Sequence, residues 1–119
     1  MNGKLEGLAR RYVAALERYL DEGGEAALSA AYELGRQALG EGLGVLDMAA
    51  IHQQALGVLV LPSDRSVRGA RAEAAGGFFA ELLSPFEMSF RGYREANDEL
   101  RRVNESLVLQ KKADRKSVV

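Results

Sequence analysis

Apolar positions along this chain fall into four stretches of helical period, separated by glycines or polar breaks. In the first, residues 4–22, Leu5, Leu8, Tyr12, Leu16 and Tyr19 recur at steps of three or four, and Ala9, Val13 and Leu20 widen the stripe. That spacing predicts one buried face of an amphipathic helix. Gly23-Gly24 stops it. The second, residues 25–39, carries Ala27, Leu28, Ala31, Leu34, Gly35, Ala38 and Leu39, a narrow stripe of small residues that lets a neighbouring helix come close. After the loop Gly-Glu-Gly-Leu-Gly at 40–44, a third helix is predicted over residues 46–61, with Met48, Ile51, His52, Ala55, Leu56 and Leu59 on one face. Asp47 stands in its first turn, where a carboxylate suits the helix dipole. Pro62 ends it, and residues 63–69 read as a polar connector.

The fourth stretch, residues 70–110, is the most informative. At 1.5 Å per residue it reaches roughly 60 Å, far beyond a small bundle. Phe79, Leu83, Phe86, Phe90, Tyr93, Asn97, Leu100, Asn104 and Leu107 alternate steps of four and three. This is the a/d seam of a heptad, with Phe79, Phe86, Tyr93, Leu100 and Leu107 at d and the others at a. An asparagine at a is a device for fixing register and two-strandedness, because a buried amide is costly unless a second helix supplies its partner. Beyond Phe90 no earlier segment is left to cover the helix, so Tyr93, Asn97, Leu100 and Leu107 call for the same helix of a second chain. The flanking e and g positions are weak, since Arg94 and Arg101 face Ala96 and Val103. Ser84-Pro85-Phe86-Glu87 resembles a helix start, yet the heptad crosses it in phase, which favours one helix kinked at Pro85. At the far end Lys111 and Asp114 break the seam, as expected of a chain cut from a longer protein.

The expected fold is therefore all-α: a four-helix bundle whose long last helix extends into a parallel dimeric coiled coil. The expected parts are a bundle for dimerisation and partner binding over 1–90, a coiled-coil signalling helix over 91–110, and a tail or linker over 111–119. Length and composition agree, with 119 residues, two prolines and no tryptophan. A net charge of −1 offers no basic field for nucleic acid. No apolar run approaches a membrane span, and the N-terminus does not read as a signal peptide. The absence of cysteine removes disulfides and thiol chemistry and fits a cytoplasmic protein.

Candidate chemistry is sparse. His52 is the single histidine; it could accept a phosphoryl group on a helix face, but it shares a stripe with Met48, Ala55 and Leu59, and no lysine or glycine follows to steady a phosphate. One histidine without cysteine does not assemble an ordinary zinc site. No phosphate loop, dinucleotide fingerprint or nucleophile elbow is present, so no cofactor and no catalysis are expected. Arg91, Arg94, Arg101 and Arg102 are interleaved with Glu87, Glu95, Asp98 and Glu99, as on a salt-bridged exposed helix.

The run from Phe78-Phe79 through Ser84-Pro85-Phe86-Glu87 to Asn97, continued by Leu100, Asn104 and Leu107, resembles the end of the N-terminal domain of RsbU-type phosphoserine phosphatases. Ile51-His52 with Ala55-Leu56 fits the same pattern upstream. The resemblance, to a KaiA/RsbU-like helical dimerisation domain, implies an all-α homodimer. Such domains precede phosphatase, sensory or histidine-kinase output modules in bacterial regulators. In the general stress response the similar domain recruits an RsbT-like switch kinase. That binding turns on a phosphatase acting on an anti-anti-sigma factor. The catalytic part would be missing from this chain. On this basis a partner is expected to dock near the Ser84-Pro85 kink, with Ile51, His52, Ala55, Ser84, Pro85, Glu87 and Met88 as candidate contacts, and to bias the coiled coil. A simple dimerisation module, a histidine phosphotransfer domain and a ligand sensor are the alternatives.

Overall fold

The computed structural model describes the backbone of residues 3–118 and the side chains of residues 3–109. Four α-helices follow in order: α1 (Gly3–Glu22), α2 (Glu25–Gly40), α3 (Val45–Leu59) and α4 (Arg65–Val118). Among the described residues there is no strand. The chain divides into two compact units, Met1–Glu87 and Met88–Val119.

The first unit is built on the stripes read from the sequence. Leu8, Tyr12 and Leu16 of α1, Ala31, Leu34 and Ala38 of α2, and Met48, Ile51, Ala55 and Leu59 of α3 form one core with Ala75, Phe78, Leu82 and Phe86 of α4. Each set repeats at three or four residues, so each helix turns one face inward. The glycine breaks have defined geometry. At the end of α2, Gly42 takes φ +83°. Its N–H donates to the Leu39 carbonyl at 3.1 Å, while the Leu43 N–H reaches back to Ala38 at 3.0 Å. This is a Schellman closure, and the left-handed residue it needs is glycine. Leu43 is buried beside it. The N–H of Gly44 then donates to the Asp47 carboxylate at 2.9 Å, which starts α3.

Helix α2 approaches the backbone of α4 closely at Gly35, which is buried. A Cβ there would overlap the Leu82 carbonyl oxygen and lie 3.0 Å from the Leu82 carbonyl carbon and 3.2 Å from Cδ of Pro85. The small-residue stripe thus has a specific use, since it admits the backbone of the neighbouring helix. Pro85 lies inside α4, helical on both sides. Its missing N–H weakens the helix locally, but its ring is buried against α2, and one continuous helix results.

One boundary differs from expectation. Residues 63–69 are not simply a polar connector: α4 already begins at Arg65, and the Asp64 carbonyl accepts the N–H groups of Val67 and Arg68, each at 3.0 Å. The arginines that hide an apolar period here have another task. Arg68 donates to the Ser63 carbonyl at 3.0 Å, and Arg71 donates to Leu59 at 3.3 Å while standing 3.7 Å from Asp21. They cover carbonyls at and just beyond the end of α3, where cations are favoured. Helix α3 accordingly ends at Leu59, with Val60 as its cap, slightly ahead of Pro62.

Candidate dimer and partner interface

Three helices converge on the single histidine. Tyr12 of α1 lies 2.8 Å from Nδ1 of His52 on α3, and the imidazole stacks on Phe79 of α4 at 4.3 Å with an 11° interplanar angle. Tyr12 is fully buried. Burial raises its pKa well above the ordinary tyrosine range and lowers that of His52. Both groups are therefore neutral near pH 7. The arrangement that leaves no buried hydroxyl proton unpaired has Tyr12 O–H donating to Nδ1, with the ring proton on Nε2. Phe78 packs behind this group, 5.5 Å from the ring of Tyr12 and 5.3 Å from that of Tyr19. His52 is thus a packed, half-buried histidine whose Nδ1 is already engaged.

The other candidate contacts divide by burial. Ile51, Ala55 and Pro85 are buried, Ser84 is half-buried, and Glu87 and Met88 are exposed. The first three support the bundle from within. Alongside, a shallow apolar groove runs between α1 and α3 past Leu5, Ala9, Val13 and Val58, in two stretches of about 470 and 480 Å³ that share Ala9 and Gln54.

The heptad seam divides as well. Phe86 is buried in the bundle core, and Phe79 and Leu83 are half-buried against it. From Phe90 onward every seam residue is exposed in the single chain. Phe90 is 61 %, Tyr93 68 %, Leu100 63 % and Leu107 51 % accessible. Asn97 and Asn104 lie exposed between them. The guanidinium of Arg94 sits 6.0 Å from the centre of the Phe90 ring, one helical turn away. Large apolar groups at regular spacing on an uncovered helix are the mark of an interaction face.

What sequence reasoning missed was the Tyr12–His52 pair. Tyr12 and His52 are both on core stripes, but only the folded helices reveal that they face each other.

Among the described residues no helix is long and apolar enough to cross a membrane. In the same residues no three histidine, cysteine or acidic side chains gather as a metal site would require. No curated protein and no solved structure shows significant similarity to the chain. The family model described as phosphoserine phosphatase RsbU, N-terminal domain, does match, over residues 10–89. That span takes in α1 from residue 10, all of α2 and α3 and the first part of α4, with the Tyr12–His52–Phe79 contact and the Gly35–Pro85 approach. The chain belongs to the family of RsbU N-terminal domains.

Proposed function

We propose that this domain is a non-catalytic, cytoplasmic signalling module. It pairs with a second copy through the exposed heptad of α4 and binds an RsbT-like switch kinase on its bundle. The resulting change passes along the paired helices to a phosphatase or kinase output. The observation that carries this reading is the run of uncovered seam residues from Phe90 onward in a chain of this family. Such a surface is unstable in water unless something covers it. Asn97 and Asn104 favour an identical helix as the cover, because a two-fold axis brings each amide opposite its own copy.

His52, Ser84, Glu87 and Met88 are the accessible members of the candidate partner region. Ile51, Ala55 and Pro85 are buried and would act on a partner only through the residues that pack over them. A phosphotransfer role for His52 has less support. Nδ1 is occupied by Tyr12, and one ring face by Phe79.

Light scattering over a concentration series tests the pairing. The wild-type chain is expected to be dimeric, and Tyr93→Lys combined with Leu100→Lys is expected to be monomeric with unchanged helix content. A folded wild-type monomer at every concentration would remove the basis of the mechanism. Calorimetric titration with a switch kinase of the RsbT type tests the second half, and Glu87→Lys with Met88→Lys should weaken that binding while leaving the dimer intact.

A further inference from the structure

Helix α3 differs from its neighbours on the side turned to solvent. Between Asp47 and Asp64 the sequence has no aspartate, glutamate, lysine or arginine. Ala49, Ala50, Gln53, Gln54, Gly57 and Val58 are nevertheless all exposed. The outer sides of α1 and α2 carry the charges that an amphipathic helix ordinarily gives to water, such as Arg11 and Arg18, or Glu33 and Arg36. Depletion of charge on an exposed surface is a mark of the core of a protein interface.

The groove between α1 and α3 runs from Leu5 and Ala50 to Val13 and Val58, and its second stretch is bordered by Arg10, Ala14 and Glu17. With successive residues about 100° apart, these last three stand on one ridge of α1, and all are exposed. Among the described residues neither Arg10 nor Glu17 has an ion pair within the chain, whereas Arg18 is met by Glu22 and Asp21 by Arg71. Arg10 and Glu17 lie about 10 Å apart along the helix, on either side of Val13 and Ala14. Opposite charges placed this way make the ridge complementary to itself. A two-fold axis through the Val13–Ala14 midpoint, with two copies of α1 crossing antiparallel, sets each Arg10 opposite Glu17 of the second copy. Ala14 then stands where the two backbones approach.

We propose that the α1–α3 face is a further self-association surface, across which a second copy of this chain lays its own α1 antiparallel. The proposal stands apart from the pairing through α4 and does not need it. A foreign helix would have to bring both counter-charges at the right spacing; a second copy already has them. Glu6 and Asp21 of opposing copies face each other too, but each lies about 11 Å from the axis, where inclined helices have diverged, and Asp21 is engaged by Arg71 at 3.7 Å. A single helix crossing buries less than the ~1,200–2,000 Å² of a standard interface, so the contact between two free copies is weak. Between copies already joined through α4 it is strengthened by avidity and gathers pairs into larger clusters.

The test starts from Tyr93→Lys with Leu100→Lys, which removes the α4 seam, and follows sedimentation equilibrium up to ~1 mM, the range of weak contacts. This variant is expected to dimerise reversibly near that concentration while remaining monomeric at micromolar levels. Arg10→Glu or Glu17→Arg, added singly, sets like charges opposite each other and should weaken dimerisation about tenfold. The two together restore the pair in reverse and should recover it to within about threefold. Helix content is expected to be unchanged throughout, since both residues are exposed. A monomer at ~1 mM assigns the face to a different protein and overturns the proposal, as does dimerisation indifferent to the single changes or unrecovered by the double one; none of these touches the pairing through α4. A dimer already present at micromolar concentration and lost on Arg10→Glu upholds this surface and overturns the α4 pairing instead.

Discussion

Residues 65–87 and residues 88–109 of α4 treat their apolar side chains in opposite ways. The first stretch buries Phe78 and Leu82 completely against α1–α3. The second leaves Phe90, Tyr93 and Leu100 more than half exposed. Both have the composition and period of an amphipathic helix, so local propensity does not distinguish them. What differs is supply: the first stretch is met by stripes on three other helices of the same chain, and the second by none in its own unit. Helix formation and helix burial are thus separable within one element. The unburied part marks where the chain's own sequence stops satisfying itself.

The sharpest way to break this comparison is to truncate one aromatic in each region. Phe78→Ala should cost about 3–5 kcal/mol in urea unfolding, the usual range for a buried phenylalanine. Tyr93→Ala, measured at concentrations dilute enough for monomer, should change stability by no more than about 0.5 kcal/mol, as for other exposed sites. Equal losses would mean that residues 88–109 are packed after all.

A glycine pair sharpens the same point inside the bundle. Alanine is worth up to about 1 kcal/mol over glycine in a helix interior. At Gly57 of α3 a Cβ meets nothing within 4 Å, so Gly57→Ala should raise the unfolding free energy by up to that amount, seen as a higher urea midpoint. At Gly35 the same Cβ overlaps backbone at Leu82, which cannot yield as a side-chain tip can. Overpacking of this kind costs typically ~1–3 kcal/mol. Gly35→Ala should therefore lower the midpoint despite the better propensity. A midpoint that rises at both positions would show that α2 and α4 can separate freely.

The smallest effect expected is a pH slope. Burial holds the folded pKa of His52 below the ordinary value of about 6.5. In the window beneath that value the unfolded chain binds more protons than the folded one. The stabilisation is complete above about pH 6.5 and declines as pH falls through the window. Tyr12 works at the other end: its raised pKa keeps stability in place below about pH 10 and withdraws it as pH rises further. Comparing urea midpoints of wild type and His52→Asn at about pH 8 and about pH 5 isolates the histidine. Wild type should lose more stability on acidification than the variant, and parallel losses would assign the slope to carboxylates instead.

Much of this fold was legible in the sequence because glycines punctuate it. Gly23-Gly24 and the loop at 40–44 set the ends of α1 and α2 and the start of α3 closely, since each break demands a conformation or a cap that other residues supply poorly. The opening of α4 was not legible, because Arg65, Arg68 and Arg71 present no apolar period, and Arg68 and Arg71 are recruited by carbonyls near the end of α3. The site divides in the same way. Phe90, Tyr93, Leu100 and Leu107 announce themselves by size and spacing. The Tyr12–His52 bond required two helices distant in sequence to be placed side by side, which periodicity alone never specifies.

The stacking of His52 on Phe79 also gives the domain a built-in spectroscopic reporter. With a single histidine in the chain, the aromatic proton spectrum contains one imidazole and no overlap from others. Its ring stacks on a phenyl ring with centroids 4.3 Å apart, so its carbon-bound protons are expected to be shifted upfield by the ring current. Nδ1 meanwhile reports the hydrogen bond from α1. Any event that moves α4 against α3 displaces the phenyl ring from the imidazole and returns those resonances toward their free positions. One pair of peaks, followed while a partner is titrated in, therefore reads the packing of three helices without a label.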